Sequence, residues 1–133
     1  MIRVVRLGTP RAKGEGVRLG TVRRPPRGVP KSEFARRDFY DVWLPELSPS
    51  QALVSRWLGA QTDADRKRCA KAFRRELEKV SHVVDALAAL SHTADFAVGC
   101  YCEDEAKCHR SVLREVFAER GAEVASGGTP AQV

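Results

Sequence analysis

Residues 96–102, Phe-Ala-Val-Gly-Cys-Tyr-Cys, run for seven positions without a charge or an amide side chain. So short a continuous apolar run reads as a strand buried on both faces, because a strand with one wet face alternates polar and apolar residues. Such a strand belongs in the middle of a sheet, with partners on both edges and cover above and below. Residues 2–7 also read as a strand, with Ile2, Val4 and Leu7 apolar and Gly8-Thr9-Pro10 closing it. Residues 17–22 read as a further strand after the loop 11–16, and residues 40–44 as a short strand or extended piece.

Elsewhere the apolar spacing turns helical. Ser48 as N-cap, Pro49 at the first helical position and Gly59 beyond the end frame a helix with Leu53, Val54 and Trp57 as its apolar stripe. Thr62 caps a longer helix, with Asp63 and Asp65 in its positive first turn and Cys69, Ala72, Phe73, Leu77 and Val80 at helical spacing. Ser81 restarts a helix that is apolar on more than one side. A last helix runs from Ala106 or Cys108 to Arg120 and stops at Gly121, and residues 32–39 read as a short helix. With 133 residues, one core is expected. The predicted architecture is a small single-domain α/β layered fold with a short, largely parallel or mixed sheet flanked by helices. Residues 1–122 form the domain, and 123–133 a flexible tail.

The net charge of +6 is unevenly placed: residues 1–37 hold eleven Lys and Arg against only Glu15 and Glu33. Clustered guanidinium groups favour an anionic partner such as a phosphate, a nucleotide or a nucleic acid. No apolar run approaches the roughly 20 residues of a membrane helix, and the start Met1-Ile2-Arg3-Val4-Val5-Arg6 lacks a signal-peptide core. The expectation is a soluble cytoplasmic protein with no membrane partner.

Two segments carry chemistry. The first is Arg23-Arg24-Pro25-Pro26-Arg27-Gly28-Val29-Pro30, where three prolines forbid regular structure and hold arginines on a stiff support, which lowers the ordering cost of binding. The second follows the central strand. Ligands of open α/β sheets sit outside the carboxyl ends of the strands, and here that region holds Cys100, Cys102, Glu103, Cys108, His109 and Arg110. Arg23, Arg24, Arg27 and Arg110 are the candidate ligand-binding residues, the last beside the free amides of a helix start.

Cys108 and His109 are candidate catalytic residues, a thiol near a helix N-terminus beside a general acid or base, with Glu103 as a carboxylate base or an arginine partner. Cys100, Cys102, Cys108 and His109 are the candidate ligands for a transition metal such as zinc. Two geometric objections stand against the metal. Cys100 and Cys102 would lie roughly 6.7 Å apart on a straight strand, and the side chains of adjacent helical residues diverge by about 100°. A full ligand set would then need Cys69, His82 or His92.

The chain resembles the DUF488 family, in the branch labelled YeaO-like. Arg23, Pro26, Arg27 and Gly28 resemble its Arg-x-x-Pro-Arg-Gly pattern. Leu47, Pro49 and Ser50 resemble its Leu-x-Pro-Ser pattern, and Cys102, Glu103, Cys108, His109 and Arg110 its strand-then-Cys-His-Arg pattern. Pro25 stands where the family usually has Trp, which removes an aromatic that could stack on a ligand. The resemblance implies a small α/β domain and no established activity. The leading expectation is a phosphate-bearing ligand in an Arg-rich cleft, which needs no cofactor. The alternatives are a thiol or thiol-metal enzyme and a protein-interaction scaffold using the basic face.

Overall fold

The computed structural model describes residues 1–126. Its elements are β1 (Ile2–Arg6), β2 (Val17–Gly20), β3 (Val42–Trp43), α1 (Gln51–Leu58), α2 (Asp63–Glu78), α3 (Ser81–Leu90), β4 (Phe96–Cys100) and α4 (His109–Glu119). Short 3-10 turns lie at Lys31–Glu33, Pro45–Leu47 and Glu105–Lys107. The four strands form one sheet in the order β1-β4-β2-β3, every pair parallel. The apolar run is therefore an interior strand, as its composition requires: all five residues of β4 are buried, between β1 (Ile2 opposite Phe96) and β2 (Val17 opposite Phe96).

One face carries the main core. Ile2, Phe96 and Val98 pack there against Leu53, Phe73, Leu77, Val84, Leu113 and Phe117 from the four helices. The other face is covered by loops. Arg18 is 1 % exposed beneath them. It donates to both Glu15 carboxylate oxygens (2.5 and 3.2 Å) and to the carbonyls of Thr9, Pro10 and Asp38. A buried ion pair thus ties the 8–16 loop and residue 38 to the sheet, doing here what a helix does on the opposite side. Gly20 lets this cover close down, since a β-carbon there would sit 2.4 Å from the Tyr40 ring.

Several boundaries differ from the sequence reading. Ser50, not Ser48, caps α1: its Oγ accepts from the Leu53 amide, while Ser48 closes the preceding turn through the Pro45 carbonyl. Ser50 also holds Glu76 of α2 through its amide (2.8 Å) and hydroxyl (2.6 Å). Residues 32–39 make one 3-10 turn and no helix, because Phe34, Phe39 and Tyr40 are drawn into a second apolar cluster with Leu7, Val22 and Cys100. Residues 123–125 pair with the edge of β1: the Ile2 amide donates to the Glu123 carbonyl, the Ala125 amide donates to the Ile2 carbonyl, and Val124 bridges Ile2. Residues 127–133 of the expected tail lie outside the described residues. Among the described residues, no helix is long and apolar enough to cross a membrane.

Candidate functional site

The carboxyl ends of β1, β4 and β2 open toward the start of α4, and both chemically loaded segments meet there. Past Gly20, Thr21 returns to β4 through its amide (3.1 Å) and hydroxyl (2.8 Å), both donating to the Gly99 carbonyl. His109 Nε2–H then donates to the Thr21 carbonyl at 2.7 Å, and Tyr101 Oη–H donates to the Arg24 carbonyl at 2.8 Å. These two bonds dock the arginine loop onto the cysteine segment. Between them lies a cleft of about 520 Å³, walled by Pro25, Pro26, Val54 and Trp57, floored by Cys100, Cys102, Cys108 and His109, and flanked by Arg23, Arg24, Arg27 and Lys107.

The arginines are not equivalent. Arg23 donates to the carbonyls of Pro49 (3.0 Å), Ser48 (3.0 Å) and Pro45 (3.2 Å), so it braces the segment leading into α1. Arg24 reaches Gln51 Oε1, and Arg27 is exposed at the rim. Arg110 does not join them. It is 3 % exposed, donates from Nη2 to the Cys102 carbonyl at 2.6 Å and leaves its Nε unpartnered. It lines a separate cleft of about 740 Å³ along β1, with Arg3, Arg6 and Glu103. Glu103 also points away from the cysteines, exposed and 3.8 Å from Arg6. The expected set Cys108, His109 and Glu103 is thus split between two clefts.

The sulfur geometry answers both objections raised by spacing. β4 ends at Cys100, and the chain bends out of the strand before Cys102. The Sγ atoms of Cys100, Cys102 and Cys108 consequently all lie within 4.8 Å of one another, with Cys100 and Cys108 2.9 Å apart. Cys108 is the extended N-cap of α4 (φ −138°, ψ 167°) and lies outside the helical turn. The 100° divergence does not apply, and its Sγ lies 4.0 Å from His109 Nδ1. The Arg110 amide donates to Cys108 Sγ at 3.4 Å, a bond that favours negative charge on sulfur. Cys69 stands apart in the helical core, and His92 Nε2 is bonded at the Gly121 carbonyl.

The three thiols share charge unequally. Hydrogen bonds from Cys100 and then Cys108 hold the half-buried Cys102 thiol far below its usual range, and the same contact with Cys102, joined by burial, pushes Cys100 well up. Cys108 is lowered by Cys100, but contact with Cys102 and burial outweigh this and raise it to about 11. Burial against Phe73 and Trp57 pushes His109 down to about 4. Its imidazole is neutral, with the proton on Nε2 and a bare lone pair on Nδ1.

The DUF488-N3a family model, described as the active DUF488-N3 subclade, matches residues 2–121. The chain belongs to the DUF488 family. No curated protein and no solved structure matches it. In this DUF488 chain Trp57 packs against the main core beside Phe73, as its place on the apolar stripe predicts, and its half-buried ring also walls the cleft, a role that sequence reasoning did not assign. The sequence reading also missed Tyr101, although a phenol in an otherwise small and apolar strand was a signal that the hydroxyl must find a partner.

Proposed function

We propose that this DUF488 protein binds a nucleotide-sized anionic ligand between the arginine loop and the start of α4. The observation that carries this reading is one cleft of about 520 Å³ that joins an apolar wall of Pro25, Pro26, Val54 and Trp57 to the exposed cations Arg24, Arg27 and Lys107. Its volume suits a small-molecule site, and such sites pair a mostly apolar lining with a few placed polar groups. A flat apolar body rests against the wall while a phosphate or carboxylate meets Arg27 and Lys107 at the mouth. Arg23 shapes the wall and does not touch the ligand. We place this binding in the cytoplasm, where the four free cysteines stay reduced.

Calorimetric titration with inorganic phosphate, a panel of mononucleotides and a short single-stranded oligonucleotide tests the proposal. At least one should bind. Arg27→Gln combined with Lys107→Gln should weaken it tenfold or more, since each charge-assisted bond contributes about 1.5–3 kcal/mol. If the oligonucleotide is the tight binder, the log–log salt slope should be about −0.7 per phosphate neutralised. Binding by none of these probes, or unchanged affinity in the double variant, overturns the reading and leaves a scaffold role for the basic face. A second reading, that the cleft also supports a reaction, is favoured by the three sulfurs on its floor and by the description of the matching subclade as active.

A further inference from the structure

We infer that Cys100, Cys102 and Cys108 together bind one thiophilic divalent metal ion, zinc in the cell, with its fourth position facing the cleft. This shares the cleft of the preceding reading but does not depend on its anionic ligand.

The donor set is the first argument. Three of the four cysteines come from two separate segments, a strand end and a helix cap, yet their sulfurs gather within 4.8 Å of one another. Zinc–sulfur bonds of about 2.3 Å put neighbouring sulfurs of a tetrahedral site about 3.8 Å apart, so small side-chain rotations convert the observed triangle into a ligand triangle. Cys100 and Cys108 are themselves buried in the second apolar cluster, but filling apolar space does not call for three sulfurs in one place, and Cys69 fills its position in the main core as a single cysteine.

The frame is the second argument. Cys100 is the last residue of β4, where its carbonyl accepts from the Leu7 amide at 2.8 Å, and Cys108 is fixed as the cap of α4. Two of the three ligands are therefore held in place before any metal arrives, which lowers the ordering cost of binding.

Charge and surroundings complete the case. Three thiolates and a dication leave one negative charge. The buried guanidinium of Arg110, anchored on the Cys102 carbonyl, supplies the balancing positive charge, and its amide already donates to Cys108 Sγ. His109 donates Nε2–H to the Thr21 carbonyl at 2.7 Å, which fixes its ring with Nδ1 4.0 Å from Cys108 Sγ. His109 stands outside the three-sulfur group, which leaves the fourth position to a molecule entering from the cleft. Cys102 is the one sulfur ligand that is not fully buried, so the coordination sphere opens on the cleft side. A metal with three protein ligands and one open position is the arrangement of catalytic zinc sites, not of closed structural ones.

The test uses untagged full-length protein purified under reducing conditions. Elemental analysis should find about one zinc per chain. Cobalt(II) added to metal-free protein should give a sulfur-to-cobalt charge-transfer band and the strong visible bands of a tetrahedral site. Cys69→Ser should keep the band, whereas Cys102→Ser and Cys108→Ser should weaken cobalt binding tenfold or more, with folding checked by circular dichroism. Free imidazole should shift the visible bands by entering the open position. Metal well below one per chain together with no charge-transfer band overturns the inference. So does equal cobalt affinity of Cys69→Ser and Cys102→Ser, and a metal-free chain with rapid alkylation at Cys102 would point instead to a free nucleophilic thiol. Arg27→Gln with Lys107→Gln should leave cobalt affinity unchanged, so failure of the anion reading and failure of the metal reading are told apart.

Discussion

Replacing Arg23 with Gln separates a brace from a ligand-binding group. The guanidinium donates to three carbonyls, those of Pro45, Ser48 and Pro49, and the last two residues are buried. Leaving a buried acceptor unpaired costs about 1–3 kcal/mol. The Pro49 carbonyl keeps the Ser48 hydroxyl (3.1 Å) and the Pro45 carbonyl keeps the Ser48 amide (2.9 Å), so the Ser48 carbonyl is the one left bare, and the expected loss is about 1.5 kcal/mol. At about 2.1 cal/mol/K per residue, unfolding of a chain this size carries roughly 0.28 kcal/mol/K, so the midpoint of thermal unfolding should fall by about 5 °C. Arg27→Gln, at an exposed loop position, should stay within about 0.5 kcal/mol of the parent. Urea unfolding followed by tryptophan fluorescence and far-ultraviolet circular dichroism measures both. If Arg23→Gln matches the parent in stability but loses the mononucleotide or phosphate that the parent binds, Arg23 is a ligand group and the bracing argument fails.

Arg18→Met leaves the buried Glu15 carboxylate uncompensated and should cost about 3–5 kcal/mol, much of which Glu15→Gln in the same chain should restore; equal stability of the single and double variants in urea would show that the ion pair is not the cause. Gly20→Ala forces a β-carbon to within 2.4 Å of the Tyr40 ring and should lose about 1–3 kcal/mol in the same assay, whereas an unchanged midpoint would mean that Tyr40 moves aside freely. Burial pushes the Asp41 carboxyl up, but hydrogen bonds from the Arg11 side chain and the Arg18 amide outweigh it and hold it below the usual range. Because the unfolded chain takes up this proton first as pH falls, the contribution is full above about pH 4 and lost as pH drops through the lower folded value. Asp41→Asn should flatten that part of the stability–pH curve, and a curve identical to the parent's would refute the assignment.

The fold was legible wherever local chemistry decides the outcome. The run at 96–102 reads as an interior strand and its first five residues form one, and Thr62 and Cys108 cap helices as their positions suggest. Ser48 and Ser50 flank Pro49 as equally good caps, and the choice fell to Ser50 because Glu76, 26 residues away, bonds it. The 32–39 segment has the composition for a helix, but burying Phe34, Phe39 and Tyr40 against the loop-covered face of the sheet outweighs a marginal helix of two turns.

By itself the sequence determined the α/β layered class with a largely parallel or mixed sheet, the stiff arginine loop and the stock of sulfur, imidazole and guanidinium groups, because these follow from residue type, period and the fixed dihedral angle of proline. Only the tertiary structure decided which of those groups meet. The bend after Cys100 and the extended conformation of Cys108 bring together sulfurs that a regular strand and helix would hold apart. The carbonyls of residues 45–49 draw Arg23 into a wall, and the Cys102 carbonyl draws Arg110 away from the cleft. Such partners are backbone groups far along the chain, and a backbone carbonyl carries no signature in the sequence.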